Sequence, residues 1–598
     1  YSREKLKGDI ETLESFYRDR GYLKFSIESS QISLSRDKKS IFITFNVFEG
    51  KKYTINDVDV IGDIPFEEDV YFEIINSLID KTYSQATITS IEEFFTSVLG
   101  NRGYAFAEVS GDPEVDQDTS NVKLIFSIQP GKKTYTRKIL FTGNQVTQDH
   151  VLRREMRQFE GAWSSDDSIE AGKIRLERLG YFKEVNVETI PVPGTDDQID
   201  VLYEVEEETT GSLGGNIGYS DFGLMLGFNL QEQNFFGSGN TVGIGINKNI
   251  YSEVYNISFL DPYATKDGVS LGYNLYFRET DYGEFNVANY LTNSNGLGVQ
   301  FGYPISDITR LNFNLTYDKT DIDIGTLPAR EIYDFVAAEG NVFETLSLGF
   351  TWQRVTLNRG LFPTDGSSTS FTLTSTIPGS DINYYRANIR QRYYQPLSSQ
   401  LVFGFQGELG YLDAYGETDE TPFFQNFYAG GPRSLRGFES NTLGTRSTNA
   451  PCYEFNYDDG TCPNLIDTDG DGELDSPYYN PYATNQYSSR SRYRDPPIGG
   501  NVKIEGSLQL IFRLPFIEDQ RSLRSAFFFD FGNVFSDNCK EYQFNCYKPS
   551  IDDLRYSYGV GVTWITGFGP MSLAIAKPTN AGPQERTEEF QFTVGNVF

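Results

Sequence analysis

Thr309–Asp318 reads TRLNFNLTYD, with Leu311, Phe313, Leu315 and Tyr317 on one parity and Asn312, Asn314 and Thr316 on the other. A two-residue period sends alternate side chains to opposite faces of a strand. The same alternation recurs in VSLGYNLYF (269–277), SFTLTSTI (370–377), LVFGFQGELGYL (401–412) and FQFTVGNVF (590–598). Roughly sixteen such segments run from about Gly211 to the end, separated alternately by short turns and longer polar loops. Their ~390 residues give about 24 per strand, which suits membrane-crossing strands of about 9–11 residues plus loops. Alternation alone is shared with soluble sandwiches. The number of segments, their glycine and aromatic content, and the chain's ending in one favour a closed barrel, which leaves no sheet edge exposed.

Composition narrows the function. Among 598 residues there are 47 Phe, 39 Tyr and 56 Gly, but 3 Met and 1 His. No run of about 18 apolar residues occurs, which excludes a helical membrane protein. With Lys+Arg at 51 and Asp+Glu at 83 the net charge is −32, the opposite of the basic stripe that phosphate recognition needs. There is no HExxH, GxSxG or P-loop, so no catalytic residue is assigned and no enzyme is expected. The cysteines form two close pairs, Cys452/Cys462 and Cys539/Cys546, in polar, turn-rich stretches. Even number and local pairing favour two disulfides in an oxidising compartment. Zinc is the alternative, and the lack of CxxC spacing and of histidines weighs against it.

Residues 1–207 are of another kind. KLKGDIETLESFYRDRG (5–21) and SIEAGKIRLERLG (168–180) carry a helical period and stop at glycine, alternating with short strands such as SIFITFNVFEG and QIDVLYEVEE. An internal repeat is visible. RDRGYLKFSI around Gly21-Tyr22 returns as GNRGYAFAEV around Gly103-Tyr104 and as ERLGYFKEVNV around Gly180-Tyr181. The spacing of about 80 residues marks a small α+β domain. Glycine ends each helix where left-handed backbone costs it nothing, and the tyrosine is expected beneath the sheet. The divisions are a partial repeat at 1–50, repeats at 51–132 and 133–207, and a barrel at 208–598 with a long loop about 412–500. The first copy lacks its opening strand, so N-terminal truncation is expected. The fold class is thus α+β repeats followed by an all-β transmembrane barrel of about 16 antiparallel strands.

Several long motifs occur in a fixed order: VLRREMRQFEGAW (151–163), NRGLFPTDG (358–366), FYAGGPRSLRGFESNTLG (427–444), FFFDFGNVF (527–535) and the terminal FQFTVGNVF. On these, the repeats resemble POTRA domains and the whole chain resembles the BamA family, central subunits of the outer-membrane β-barrel assembly machinery of Gram-negative bacteria. The resemblance implies outer-membrane localisation with the repeats in the periplasm. It also implies folding and insertion of unfolded outer-membrane proteins without ATP, periplasmic lipoprotein partners, no nucleic acid and no required cofactor. A two-partner secretion translocator is the alternative. A passive porin would leave the repeats unexplained, and an outer-membrane hydrolase lacks its motifs.

The first barrel strand, GSLGGNIGY, carries Gly211, Gly214, Gly215 and Gly218; the last segment carries Gly595 and ends at Phe598. Each glycine weakens a strand by about 0.5–1 kcal/mol, so the seam between first and last strands is expected to be the weakest and to open laterally for a client strand. The competing reading is that these glycines only relieve crowding. By resemblance, Leu435, Arg436, Gly437 and Phe438 form a lumen motif whose arginine meets acids on the wall; Asp530 matches one, and Gln509 replaces the other. The motif's main expected task is to pin the loop. Resemblance also assigns lipoprotein docking to Arg153, Arg157 and Glu160, against a plain solvated helix face. Finally, IDTDGDGELD sets Asp467, Asp469, Asp471, Glu473 and Asp475 at calcium-loop spacing, but Tyr478 stands where the bidentate Glu belongs. A weak Ca²⁺ site in the extracellular loop is the expectation, against a solvated acidic turn.

Overall fold

The computed structural model describes residues 3–35, 41–67, 69–116, 118–220, 223–283, 287–306, 308–324, 328–448, 496–514, 517, 522–540, 543, 546–566, 569–582 and 584–595. Cys452, Cys462, Asp467, Asp469, Asp471, Glu473, Asp475 and Phe598 lie outside the described residues. The chain divides into two units, Tyr1–Thr209 and Thr210–Phe598.

The first unit opens with α1 (Arg3–Arg18) and the antiparallel pair β1 (Ser26–Leu34) and β2 (Ile41–Phe48). A second group follows: β3 (Thr54–Gly62), α2 (Asp69–Leu78), α3 (Gln85–Gly100), β4 (Glu108–Asp116) and β5 (Asn121–Gln129). The third is β6 (Tyr135–Thr142), α4 (Asp149–Arg153), α5 (Asp166–Arg178), β7 (Phe182–Pro191) and β8 (Gln198–Glu207). In both complete groups the last strand is central, parallel to the first and antiparallel to the second. Period-2 burial explains the packing: Val122, Leu124, Phe126 and Ile128 of β5 share a buried core with Phe95 and Leu99 of α3. Tyr181 is buried as expected, but Tyr22 and Tyr104 are only half-buried. Tyr22 meets Tyr17 edge-on, and the Tyr104 ring faces Lys133 Nζ at 5.6 Å, so these rings lie at the rim of their repeats. The helix read in RREMRQFEG stops at Arg153; Arg157 and Glu160 lie beyond it, and His150 is inside α4.

The second unit is a closed barrel of sixteen antiparallel strands. Its first half is β9 (Gly211–Ser220), β10 (Gly223–Glu232), β11 (Thr241–Lys248), β12 (Ser252–Asp261), β13 (Ser270–Asp281), β14 (Leu291–Ser306), β15 (Thr309–Asp323) and β16 (Val342–Val355). The second half starts with β17 (Gly366–Thr376), β18 (Tyr384–Pro396) and β19 (Leu401–Ala414). Off the wall, β20 (Gly437–Phe438) pairs with β25 (Thr587–Glu588). The wall continues as β21 (Val502–Phe512), β22 (Leu523–Phe535), β23 (Arg555–Thr566), β24 (Gly569–Pro578) and β26 (Phe590–Val594), which returns to β9. Phe313, Leu315 and Tyr317 are exposed on the outer face, the apolar band that lipid covers.

Periodicity missed one element: α6 (Arg330–Glu339) lies between β15 and β16, in a region read as purely β. Ten residues hold under three turns, too few for the period to stand out. Its Ile332 and Phe335 join a buried cluster with Phe427, Leu435, Phe438 and Val534. That cluster roots the long loop.

Candidate functional site

The barrel closes on very little. β9 and β10 share ten register pairs and β14 and β15 fifteen, whereas β24 and β26 share five. Between β26 and β9, among the described residues, one pair is formed, Val594 with Tyr219. On the face of β9, Leu213 is 72% and Ile217 66% exposed. The glycines divide into two groups. A Cβ at Gly595, whose φ is +82°, would sit 2.7 Å from Ile217 O and 3.0 Å from Gly218 Cα, so close backbone approach requires glycine there. At Gly215 a Cβ would meet nothing, and at Gly214 only Asn229 O at 3.9 Å. Crowding therefore does not account for Gly214 and Gly215, which leave the strand without packing side chains. At Gly211 a Cβ would press on Glu232 Oε2 at 2.8 Å.

Inside the barrel, Arg436 makes a fork with Asp530: Nε donates to Oδ2 at 2.7 Å and Nη2 to Oδ1 at 2.6 Å. Its backbone N–H adds a third bond to Oδ2 at 3.2 Å. Asp530 is fully buried and the Arg436 side chain 16% exposed. The carboxylate replaced by Gln509 is made good by a hydroxyl. Arg436 Nη2 donates to Ser507 Oγ at 3.0 Å, and Gln509 Nε2 donates to the same oxygen at 3.2 Å. The guanidinium also lies 3.4 Å from the Phe528 ring centroid, a cation–π contact. Leu435 and Phe438 are fully buried, and Gly437, at φ +88°, would bring a Cβ to 3.1 Å from the Ala576 Cβ.

The motif is also tied to the last strand. Gln591 of β26 donates from Nε2 to Phe438 O at 2.8 Å and accepts from Gly437 N–H at 3.3 Å. Its amide thus stands in for a peptide unit beside β20. Ser507, Phe528 and Gln591 were not anticipated. They lie 71 to 153 residues from their partners, and no local pattern marks them. The alternating strand parity that puts Ser507 and Gln509 on one face was the available signal.

In the third repeat, Arg153 donates to Asp149 Oδ2 and Glu160 Oε1, both at 3.1 Å, and to Ile139 O at 3.2 Å. Glu160 accepts from Ile139 N–H at 2.9 Å. Arg153 and Glu160 thus tie α4 to β6, and each remains about half exposed. Beside them Phe159 is 72% exposed, an apolar neighbour that charge reading alone passed over. The Ile139 amide and then Arg153 hold Glu160 below the ordinary 4.5 of a glutamate. Arg137 holds Asp200 below the ordinary 3.8 of an aspartate. Groups lowered in the folded state stabilise it fully above their unfolded values, and that stability is lost as pH falls through the folded values. The repeat unit is accordingly expected to keep its denaturant midpoint at pH values well above 4.5 and to lose stability progressively as the pH falls below that, the raised Asp166 carboxyl offsetting part of the loss. Urea titrations followed by far-UV circular dichroism over that range check it. A midpoint that rises on acidification rejects the assignment. In the barrel unit, Cys539 and Cys546 form a disulfide in the β22–β23 loop.

A sixteen-stranded transmembrane barrel that holds an arginine-bearing loop in its lumen and follows a train of small α+β repeats defines an Omp85-type outer-membrane protein. The Omp85 superfamily domain matches residues 234–598, and the POTRA domain, described as a surface antigen variable number repeat, matches 1–50, 53–131 and 134–208. Over 628 aligned residues the chain is 30% identical to the outer membrane protein assembly factor BamA of Neisseria meningitidis, spanning all of this chain and 73% of the relative. The BamA of Buchnera aphidicola is 31% identical over 359 residues, 58% of each chain. A crystal structure of BamA from Haemophilus ducreyi lacking POTRA domains 1–3 superposes with a TM-score of 0.70 at 30% identity, covering 91% of this chain and 99% of that one. The chain belongs to the Omp85 superfamily and, within it, to the BamA family. Its barrel lies in the outer membrane and its POTRA repeats in the periplasm.

Proposed function

We propose that this protein folds β-barrel proteins and inserts them into the outer membrane through a lateral opening between β9 and β26, without ATP. The observation that supports this reading is the closure itself, which among the described residues has one register pair between β26 and β9 against ten between β9 and β10. A bare strand edge is a template for strand addition, and the client's own hydrogen bonds and lipid-facing apolar surface supply the driving force. The wall beside the closure is short. β9 to β12 have 8 to 10 residues, against 14 to 16 in β14 to β16. A short wall thins the adjacent bilayer and lowers the barrier to insertion. In this reading no residue is catalytic.

Unfolded outer-membrane proteins are the clients, and periplasmic lipoprotein subunits dock at Arg153, Arg157 and Glu160 beside the exposed Phe159. Depletion tests the reading directly. Simultaneous loss of many barrel proteins is expected; loss of one secreted protein alone supports the translocator instead. Weak Ca²⁺ binding by Asp467, Asp469, Asp471, Glu473 and Asp475 remains a proposal from sequence. Calorimetry is expected to detect Ca²⁺ uptake at millimolar levels and to lose it in Asp467→Asn/Asp469→Asn, and no heat in the parent protein rejects it.

A further inference from the structure

The Gly-Tyr motif recurs, and so does what it touches. At the boundary of the first and second repeats, Gly21 O accepts from Tyr53 N–H at 2.9 Å and Tyr53 O accepts from Tyr83 N–H at 3.1 Å. At the next boundary, Gly103 O accepts from Thr134 N–H at 2.7 Å and Thr134 O from Ser164 N–H at 3.0 Å. One residue further on stands the N-cap serine of a helix, Ser84 for α3 and Ser165 for α5, in nearly the same backbone conformation.

Two residues before each glycine stands a side chain that reaches across the boundary. Asp19 Oδ1 accepts from Ala86 N–H at 2.8 Å, 67 residues on. Asn101 Oδ1 accepts from Asp167 N–H at 2.8 Å, 66 residues on. Ala86 and Asp167 are both second residues of their helices, one past the amide-rich entry where an isolated helix leaves N–H groups unsatisfied. Each helix thus carries two caps, one from its own repeat and one from the repeat before it. Asn101 Oδ1 also accepts from Ser165 Oγ at 3.1 Å, which locks the outside cap to the inside one.

The two reaching residues differ in charge, and the helices they cap differ in the complementary sense. The first turn of α3 has no acidic residue, and Asp19 caps it. The first turn of α5 holds Asp166 and Asp167, and the neutral Asn101 caps it. Space is tight at this second boundary: a Cβ on Gly100 would fall 1.8 Å from Asp166 Oδ2. Burial, and then Asp167, already raise the Asp166 carboxyl above its ordinary value. A third carboxylate would be repelled there. In the third repeat the corresponding position is Arg178, which has no following repeat helix to cap.

We infer that Asp19 and Asn101 are inter-repeat positioning residues: each caps the first turn of the next repeat's helix and so fixes the angle between consecutive repeats. The bond joins the turn that directly follows one repeat's helix to the first turn of the next repeat's helix, so swinging one repeat against the next uncaps a helix. Orientation is thereby linked to helix stability. The inference needs only the repeats and holds whatever the barrel's task.

The test uses the full-length protein in detergent, with spin labels attached by a non-thiol chemistry at the exposed Glu114 and Glu188, or Glu28 and Glu114. Dipolar spectroscopy is expected to give one narrow distance distribution for each pair in the parent protein. Asn101→Ala and Asn101→Asp broaden the Glu114/Glu188 distribution, Asp19→Ala broadens the Glu28/Glu114 distribution, and Asp19→Asn leaves the latter unchanged. Amides in the first turn of α5 exchange about fivefold faster in Asn101→Ala, the factor expected for one lost cap. Exchange in β8 stays at the parent rate. Parent-like distributions in both Asn101 variants overturn the inference. So does an equal acceleration in β8, which would mean that the repeat itself is unfolding.

Discussion

Oxidised Tyr219→Cys/Val594→Cys protein is expected to insert no client barrel into liposomes and to support no growth, with both restored by reductant. These residues are the one register pair across the closure among the described residues. Cα atoms facing each other in an antiparallel pair lie ~4.5–5.5 Å apart, within reach of a disulfide. The size of the effect follows from what is being replaced. At a net ~1 kcal/mol per backbone hydrogen bond, thermal motion opens a closure of one pair, whereas a seam like the ten pairs between β9 and β10 stays shut. A covalent bridge converts the first case into one tighter than the second. Reductant also reaches Cys539–Cys546, so the parent protein under the same reductant is the control. Parent-like insertion by protein shown to be fully cross-linked rejects the lateral opening.

Arg436→Ala is expected to destabilise the barrel by about 3–5 kcal/mol, the cost of stripping one partner from a buried ion pair. Asp530 would be left fully buried with its charge, holding only the backbone N–H of residue 436. Ser507, opposite Asp530 in the register, can at most turn its hydroxyl to the stranded carboxylate, and one neutral hydrogen bond does not replace a charged fork. Arg436→Ala/Asp530→Asn should recover a large part of the loss, because the second change removes the stranded charge. Arg436→Lys should fall between, keeping the charge but losing the fork. Thermal shift of the folded band on gels orders the four proteins. A parent-like Arg436→Ala melting point contradicts the pinning role.

The barrel was legible because sixteen strands repeat one rule, and TRLNFNLTYD states it in ten residues. Arg436 and Asp530 were legible through resemblance to the family's lumen motif, and the need of a desolvated arginine for an acid agrees with that match. Ser507 and Gln591 were not. A serine on a strand face is ordinary, and only the folded register brings it under a guanidinium. Helix α6 was hidden by its shortness. Arg153 and Glu160 show the reverse difficulty: they read as an outward-facing charge set, yet they also bind α4 to β6 inside their own repeat. Charge patterns report what is present and leave open which surface uses it.

Gln591 gives the terminal strand two unlike flanks. Its side-chain amide grips the lumen loop from within, while among the described residues the strand's backbone pairs with β9 at Val594 alone. In the proposed lateral opening, peeling that strand outward draws on one of the loop's anchors, while the Arg436–Asp530 fork and the β20–β25 pair still hold the rest. Trimming the glutamine side chain is therefore a way to uncouple the loop from the strand without touching the strand's own backbone pairing.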